Sequence, residues 1–295
     1  MQTLPRYTKQ IGFTSAGGHA ALFEGLPNDV AELCSVTQGL LIHEHLAGSY
    51  GVTLDEDDRR SAHLRRVAEL LDWIVDRDPR PLDVAREPAA RTAGNCRQFT
   101  VLLVSMLRAQ DVPARARCGF GTYFGSSLGE DHWVAEVWLD GRWRLVDAQV
   151  DEHQRALFGV DLDLTDVPRD RFLVAGDAWA ACRSGEADPA TFGLSVTGET
   201  GAWWIAGNLM RDVAALNNAE MLPWDVWGAM PGPDDVIDED RVALFDELAA
   251  LTAEPDGHLD ELRARFESDD RLRVGPVVHN VLRSRNEEVS LGLTR

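Results

Sequence analysis

Asp140-Gly141, set between two alternating runs, constrains this chain more than any other pair of residues. Such a dipeptide fits a two-residue turn with positive φ and is among the strongest short hairpin signals. The flanking runs are Asp131-His132-Trp133-Val134-Ala135-Glu136-Val137-Trp138-Leu139 and Arg142-Trp143-Arg144-Leu145-Val146-Asp147. The turn sets Leu139 opposite Arg142 and Trp138 opposite Trp143. Continued, the register sets Val134 opposite Asp147 and His132 opposite Gln149. Opposed residues share a face, as do residues two apart on one strand. His132 and Asp147 are then diagonal neighbours, about 7–8 Å apart at the backbone, a gap their side chains can close. His132, Val134, Asp147 and Gln149 form one face, predicted to turn toward Cys96. Trp133, Ala135 and Val137 point the other way, into packing. A one-residue slip would part His132 from Asp147. By the same alternation Asp131 is predicted to matter much less than Asp147.

Upstream, Gly94-Asn95-Cys96 opens a helical pattern in which Phe99, Leu102, Leu103, Met106 and Leu107 recur on one face. Asn95 is a good N-cap, and Pro113 disfavours helix at the residue before it, so the helix should run from Cys96 to about Gln110. Cys96 falls in the first turn, where free amides and the macrodipole favour an anion. A free thiol has a pKa of about 8.5, which such a position can lower. Two readings stand on geometry: an activated thiol, or a small buried residue at a helix start. The first predicts that Cys96 is alkylated in mild acid ahead of Cys34, Cys118 and Cys182. Thiol, imidazole and carboxylate follow in order, as in a nucleophile, base and orienter arrangement.

These residues resemble the core of the transglutaminase-like superfamily, whose fold is related to papain-like cysteine enzymes. The resemblance is carried by Gly94-Asn95-Cys96, Leu107-Arg108-Ala109-Gln110-Asp111-Val112-Pro113-Ala114-Arg115, Gly119-Phe120, His132-Trp133-Val134-Ala135-Glu136, and Gly141-Arg142-Trp143 leading to Asp147. It implies an α+β papain/transglutaminase-like core of the bacterial type, with a nucleophile helix packed on an antiparallel sheet. It also implies Cys96 as nucleophile, His132 as general base and acid, and Asp147 as orienter. Asn95 and Arg97 stand where animal transglutaminases carry Gln and Trp, and Asp147-Ala148-Gln149 replaces Asp-Pro-Thr. The amide of Cys96 is a natural oxyanion donor, and Gln149 is a second candidate for substrate or oxyanion binding.

Elsewhere the signals are plainer. Lys and Arg number 29 against 49 Asp and Glu, a net charge of −20 over 295 residues. That argues against nucleic acid or an anionic membrane as partner. The four cysteines show no Cys-x-x-Cys spacing, and no leader or long apolar run is read, so free thiols in the cytoplasm are expected. No cofactor is expected, and no metal: a zinc site from Cys96, Cys118, His132 and His153 lacks ligand spacing. Residues 28–46 read as a helix from Asn28, which makes His43 and His45 helix-end histidines. Residues 55–77 read as one amphipathic helix. Further helical stretches are expected at 172–182, 203–216, 242–251 and 258–266.

Two parts are therefore expected: a catalytic core with N-terminal helices over residues 1–160, and a mainly helical C-terminal extension over 161–295 that packs on it. Trp203, Trp204, Trp224 and Trp227 could wall an apolar pocket or lie in the core. The reaction expected is amide or peptide hydrolysis through a thioester on Cys96. Transfer of the acyl group to an amine uses the same intermediate. A non-catalytic binding module on the same fold would not need all three residues.

Overall fold

Asn95 begins the element on which the fold is built. In the computed structural model, which describes residues 4–292, its side chain accepts the Arg97 amide at 3.1 Å, and the Gln98 side chain accepts the Asn95 amide at 3.1 Å. This reciprocal cap satisfies amides that no helix can bond internally. The helix it starts is buried from Cys96 through Arg108, so packing surrounds it on every side.

The order of elements is helix α1 (Val30–Leu40), strand β1 (Leu41–His43), α2 (Glu56–Arg59), α3 (Val67–Arg77), β2 (Thr92–Gly94) and the central helix α4 (Cys96–Ala109). Strands β3 (Ala114–Gly121), β4 (Gly129–Leu139) and β5 (Arg142–Val146) follow, then α5 (Glu152–Phe158), β6 (Phe172–Val174), α6 (Ala175–Ser184), β7 (Phe192–Leu194) and β8 (Glu199–Thr200). Helix α7 (Ala202–Leu216), β9 (Asp225–Val226), α8 (Glu239–Ala253), α9 (Leu259–Ser268), β10 (Val277–Asn280) and β11 (Arg285–Glu288) complete it. Among the described residues no helix is long and apolar enough to cross a membrane.

The hairpin has the predicted register as far as the ladder runs, but β5 ends at Val146, so the expected pairs Val134–Asp147 and His132–Gln149 do not form. Leu139 pairs with Arg142 and Trp138 with Trp143, through to Ala135 with Val146. Asp140 and Gly141 take φ of 50° and 82°, the left-handed values that this turn demands. On its other edge β4 pairs with β3 from Val137 opposite Ala114 to Glu130 opposite Gly121. Strand β6 docks on the end of β3, where a Cβ on Gly119 would lie 2.1 Å from the Leu173 carbonyl oxygen. Only glycine permits that approach.

Strand β7 pairs in parallel with Gly129 and Glu130 of β4. One edge of β4 thus carries β7 at one end and β5 from residue 135 onward, leaving residues 131–134 between them without a strand partner. That gap is where the site lies.

Helix α4 covers the face of Ala135, Val137 and Val146, which pack with its Phe99, Leu102 and Leu103. Trp133 clusters with Cys96 itself. This reverses one expectation. The face of Trp133, Ala135 and Val137 turns toward the cysteine helix, and His132 lies on the other face with Val134. The reason is polarity: an apolar helix flank cannot seat on a face that holds Arg115, Arg117 and Glu136.

Those three charges are buried and paired. Glu136 accepts from Arg115 at 2.6 Å, from Arg117 at 3.1 Å and from Arg169 at 2.5 Å. Burial works to raise the Glu136 pKa, and the three arginines bring it down to about 2. Arg117 also makes a fork to Asp212 of α7, with both contacts at 2.9 Å, and Asp212 accepts the Cys118 amide at 2.9 Å. Helix α7 therefore covers the stretch of β3 that β6 leaves open.

Three other expectations change. The first helix begins at Val30, capped by Asp29 rather than Asn28, and ends at Leu40. His43 lies instead on β1, which pairs in parallel with β2 and sets His43 beside Gly94. The 55–77 helix is broken at Leu64–Arg66, because helix α4 takes the carbonyls there: Gln98 donates to Leu64 at 3.0 Å and Arg97 to Arg65 at 2.6 Å. Residues 172–174 are a strand before α6, and β6, β7 and β8 all belong to the central sheet. The C-terminal residues thus add strands as well as helices to the core.

Candidate active site

Cys96 occupies the first turn of α4 and is 7% exposed. The amides of Trp133, in the gap of β4, and of Arg97 act to favour its thiolate. They do not prevail. Burial pushes the thiol well above its ordinary value, and the carboxylates of Asp131 and Asp147 add to the rise. The acidified thiol expected from the helix start is therefore not what the site holds. The N-terminal amides are present, but removal from water outweighs them.

A raised thiol pKa places the thiolate, and hence alkylation, on the alkaline side. Rates of iodoacetamide labelling at Cys96, mapped by peptide across pH, should climb through that range without levelling in mild acid. Asp131→Asn removes a carboxylate that opposes the thiolate and should move the profile to lower pH. A plateau in mild acid for the unaltered protein would overturn this account. Cys118 is fully buried and its thiol is also pushed up by burial. Cys182, pushed up to about 11 by burial, is more accessible, so it competes for reagent.

His132 and Asp147 meet as expected, although β5 ends one residue before Asp147: His132 Nε2 lies 2.9 Å from Asp147 Oδ2. Asp147 accepts three further bonds, from Tyr123 Oη at 2.8 Å and from the amides of Gln149 and Val150 at 2.8 and 3.3 Å. Burial would raise its pKa, but His132, Tyr123 and the Gln149 amide outweigh it and hold the carboxylate below its ordinary range. A charged acceptor surrounded by donors requires a proton on Nε2. In neutral His132, Nδ1 then keeps its lone pair, the nitrogen a base needs. Phe124, Tyr123 and Phe172 present ring edges or faces at 4.8, 6.2 and 6.3 Å and fix the imidazole plane.

Cys96, His132 and Gln149 line one cavity of about 150 Å³, together with Glu130, Asp131 and Phe124. Gln149 is placed there but oriented as an acceptor. Its Nε2 donates to Gln154 at 3.0 Å, Gln154 donates to Tyr50 at 3.0 Å, and Tyr50 donates to Asp151 at 2.7 Å. This relay leaves the Gln149 carbonyl oxygen buried and without a partner. An oxyanion needs a donor, so Gln149 in this state does not supply one.

Sequence reasoning missed several neighbours of Cys96. His43 and Asp131 line this cavity and a second, of about 180 Å³, that also opens at Cys96. Burial, with His45 and His132 nearby, lowers the His43 pKa to about 3, against the pull of Asp147, which keeps the ring neutral. The signal was slight: the strand is three residues long and ends at His43, with Glu44 and His45 already in the turn that follows. Asp131 is held by the Trp204 indole at 2.7 Å, with its other oxygen buried and unpartnered. Trp203, Trp204 and Trp224 line the second cavity, whereas Trp227 packs in the core and donates to the Leu272 carbonyl at 2.9 Å. His153 contacts Ser49 at 3.0 Å, and among the described residues no three side chains gather as metal ligands.

One comparison with known proteins bears on the core. Residues 52–148 match the model of the Transglutaminase-like superfamily. A search of curated proteins finds no match. One crystal structure from Cytophaga hutchinsonii, described provisionally as a cysteine protease, is 17% identical over 59% of this chain. The chain spans 48% of that protein's length, with a TM-score of 0.32, too slight a likeness to bear on mechanism.

Proposed function

Since residues 52–148 form a transglutaminase-like segment, we propose that the protein is a thiol enzyme that opens an amide through a thioester on Cys96. The observation that carries this reading is the 2.9 Å contact of His132 Nε2 with an Asp147 carboxylate that accepts three other bonds. A neutral buried thiol needs a base, and that contact makes His132 Nδ1 one.

The thiol proton passes to Nδ1 as Sγ attacks the carbonyl carbon. The tetrahedral adduct collapses with loss of the carbon–nitrogen bond, and His132 returns the proton to the departing amine. Water then gives a proton to His132 and attacks the thioester, which releases the acid and restores the thiol. Hydrolysis is the first reading because water is always at hand. An amine in place of water would give a new amide by the same steps. The unpartnered oxygens of Glu130 and Gln149 on the His132 side suit an N–H-bearing group, whether departing or arriving.

The test is intact-mass spectrometry of the protein with N-acyl amides and acyl thioesters, with and without a primary amine. An acyl adduct that maps to Cys96 is expected, discharged by water or by the amine. If every acyl donor leaves Cys96 bare while iodoacetamide still labels it, the reading fails.

A further inference from the structure

Cys96 stands between two cavities of different character. His132, Gln149 and Glu130 line only the smaller one, whereas Trp203, Trp224 and Met230 line only the larger. Chemistry assigns the two sides. The imidazole must reach the departing nitrogen, so that nitrogen and its substituents lie with His132. The acyl group, on the other flank of the same carbon, is left with the cavity that His132 does not line.

We propose that this second cavity is the acyl-side specificity pocket, and that the substrate is a peptide or N-acyl amino acid whose reacting carbonyl belongs to a large apolar residue. The inference rests on the reading of Cys96 as the nucleophile and goes on to name what that nucleophile acts upon. Its volume of about 180 Å³ exceeds the roughly 150 Å³ of an apolar cavity that takes up benzene. Two of its tryptophans spend their polar atoms on the protein: Trp203 donates to the Thr200 carbonyl at 3.0 Å and Trp204 to Asp131 at 2.7 Å. Their rings, 5.0 Å apart at the centroids, are left as apolar wall. Val281 and Leu282, 50% and 57% exposed, continue that surface outward from the cavity.

Three residues that line it each carry a buried polar atom without a partner among the described residues: Asp131 Oδ1, Trp224 Nε1 and Arg211 Nε. Arg211 is 7% exposed, and burial lowers its pKa even though the Asp131 and Asp225 carboxylates lie close enough to favour its charge. Its Nη atoms donate to Asn208 and to the Asp225 carbonyl, both at 3.1 Å, and its Nε is buried without an acceptor. Buried donors are rarely left so. The carbonyl that acylates the apolar residue's own nitrogen is the acceptor a peptide would bring.

The test uses N-acetylated phenylalanine, leucine, glycine and lysine chloromethyl ketones. Cys96 Sγ displaces chloride from the methylene carbon, forming a carbon–sulfur bond, and the thiol proton passes to buffer. Rates at Cys96 are divided by the same protein's iodoacetamide rate, so general thiol reactivity cancels. The phenylalanine and leucine reagents should exceed glycine by about 10–100-fold, the range expected of an apolar pocket. Trp203→Ala should erase most of that preference, and Met230→Ala serves if Trp203→Ala does not fold. Equal rates for phenylalanine and glycine, or a lysine preference, would overturn the pocket assignment alone. If no ketone labels Cys96 while iodoacetamide does, the nucleophile reading falls with it.

Discussion

Cys96→Ala should abolish the acyl adduct and lower kcat/KM for the amide substrate by about 10⁴-fold or more, the scale of losing a covalent nucleophile. The fold should tolerate the change. The helix cap is built from Asn95 and Gln98 and does not use the sulfur. Cys96 packs with Ala116, Cys118, Trp133 and Ala215, and loss of one sulfur from such a cluster costs about 1 kcal/mol, at the low end of core truncations. Turnover and the urea midpoint, measured on the same preparation, separate the two effects. Retained turnover with an unchanged midpoint would move the chemistry to another group.

Asp147→Asn is the second large effect, expected to lower turnover by about 10³- to 10⁴-fold through the imidazole tautomer. Asp147 Oδ1 faces two backbone amides, and Oδ2 faces Tyr123 and His132. An asparagine will keep its oxygen on the amides and turn its nitrogen toward the imidazole. Nε2 must then accept, the proton moves to Nδ1, and the base is lost. The conformation should survive, although a buried donor next to Tyr123 carries some cost in stability. Asp131→Asn is the instructive contrast. Alternation along β4 does put Asp131 and His132 on opposite faces, but Cys96 lies at the strand edge, where both faces meet. Asp131→Asn is therefore not silent: it should shift the pH profile of the thiol, whereas Asp147→Asn should remove activity at every pH. A larger loss of turnover at Asp131 than at Asp147 would overturn the assignment of Asp147 as the orienting carboxylate.

What was legible in the sequence was local. Asp140-Gly141 specifies its own turn, and Asn95 with Gln98 specifies its own cap, so the hairpin register and the start of α4 needed no knowledge of the rest. That register brings His132 and Asp147 near each other, but the ladder ends at Val146, and Tyr123 with the Gln149 and Val150 amides holds the carboxylate in place. Other features depend on partners far along the chain. The break at Leu64–Arg66 exists because Arg97 and Gln98 take its carbonyls, which no helical period at 55–77 reveals. His43 reaches the site because β1 pairs with β2, and a three-residue strand after a helix has almost no signature. Which face α4 covers was decided by Arg115, Arg117 and Glu136 pairing with each other and with Arg169 and Asp212. Alternation predicts that two faces differ, not which of them meets a given helix.

The gap in β4 has a consequence for how this site would answer to genetics. Where β5 turns away after Val146, the Trp133 amide is left to the Cys96 thiol, so that donor comes from a strand's withdrawal and belongs to the main chain. Exchanging the indole for any side chain but that of proline would alter packing and leave the N–H in place. A substitution scan would therefore record position 133 as a matter of bulk and miss its electrostatic part. Chemistry that edits the backbone, such as an ester in place of that one amide, would make the contribution visible without the fixed φ that proline imposes.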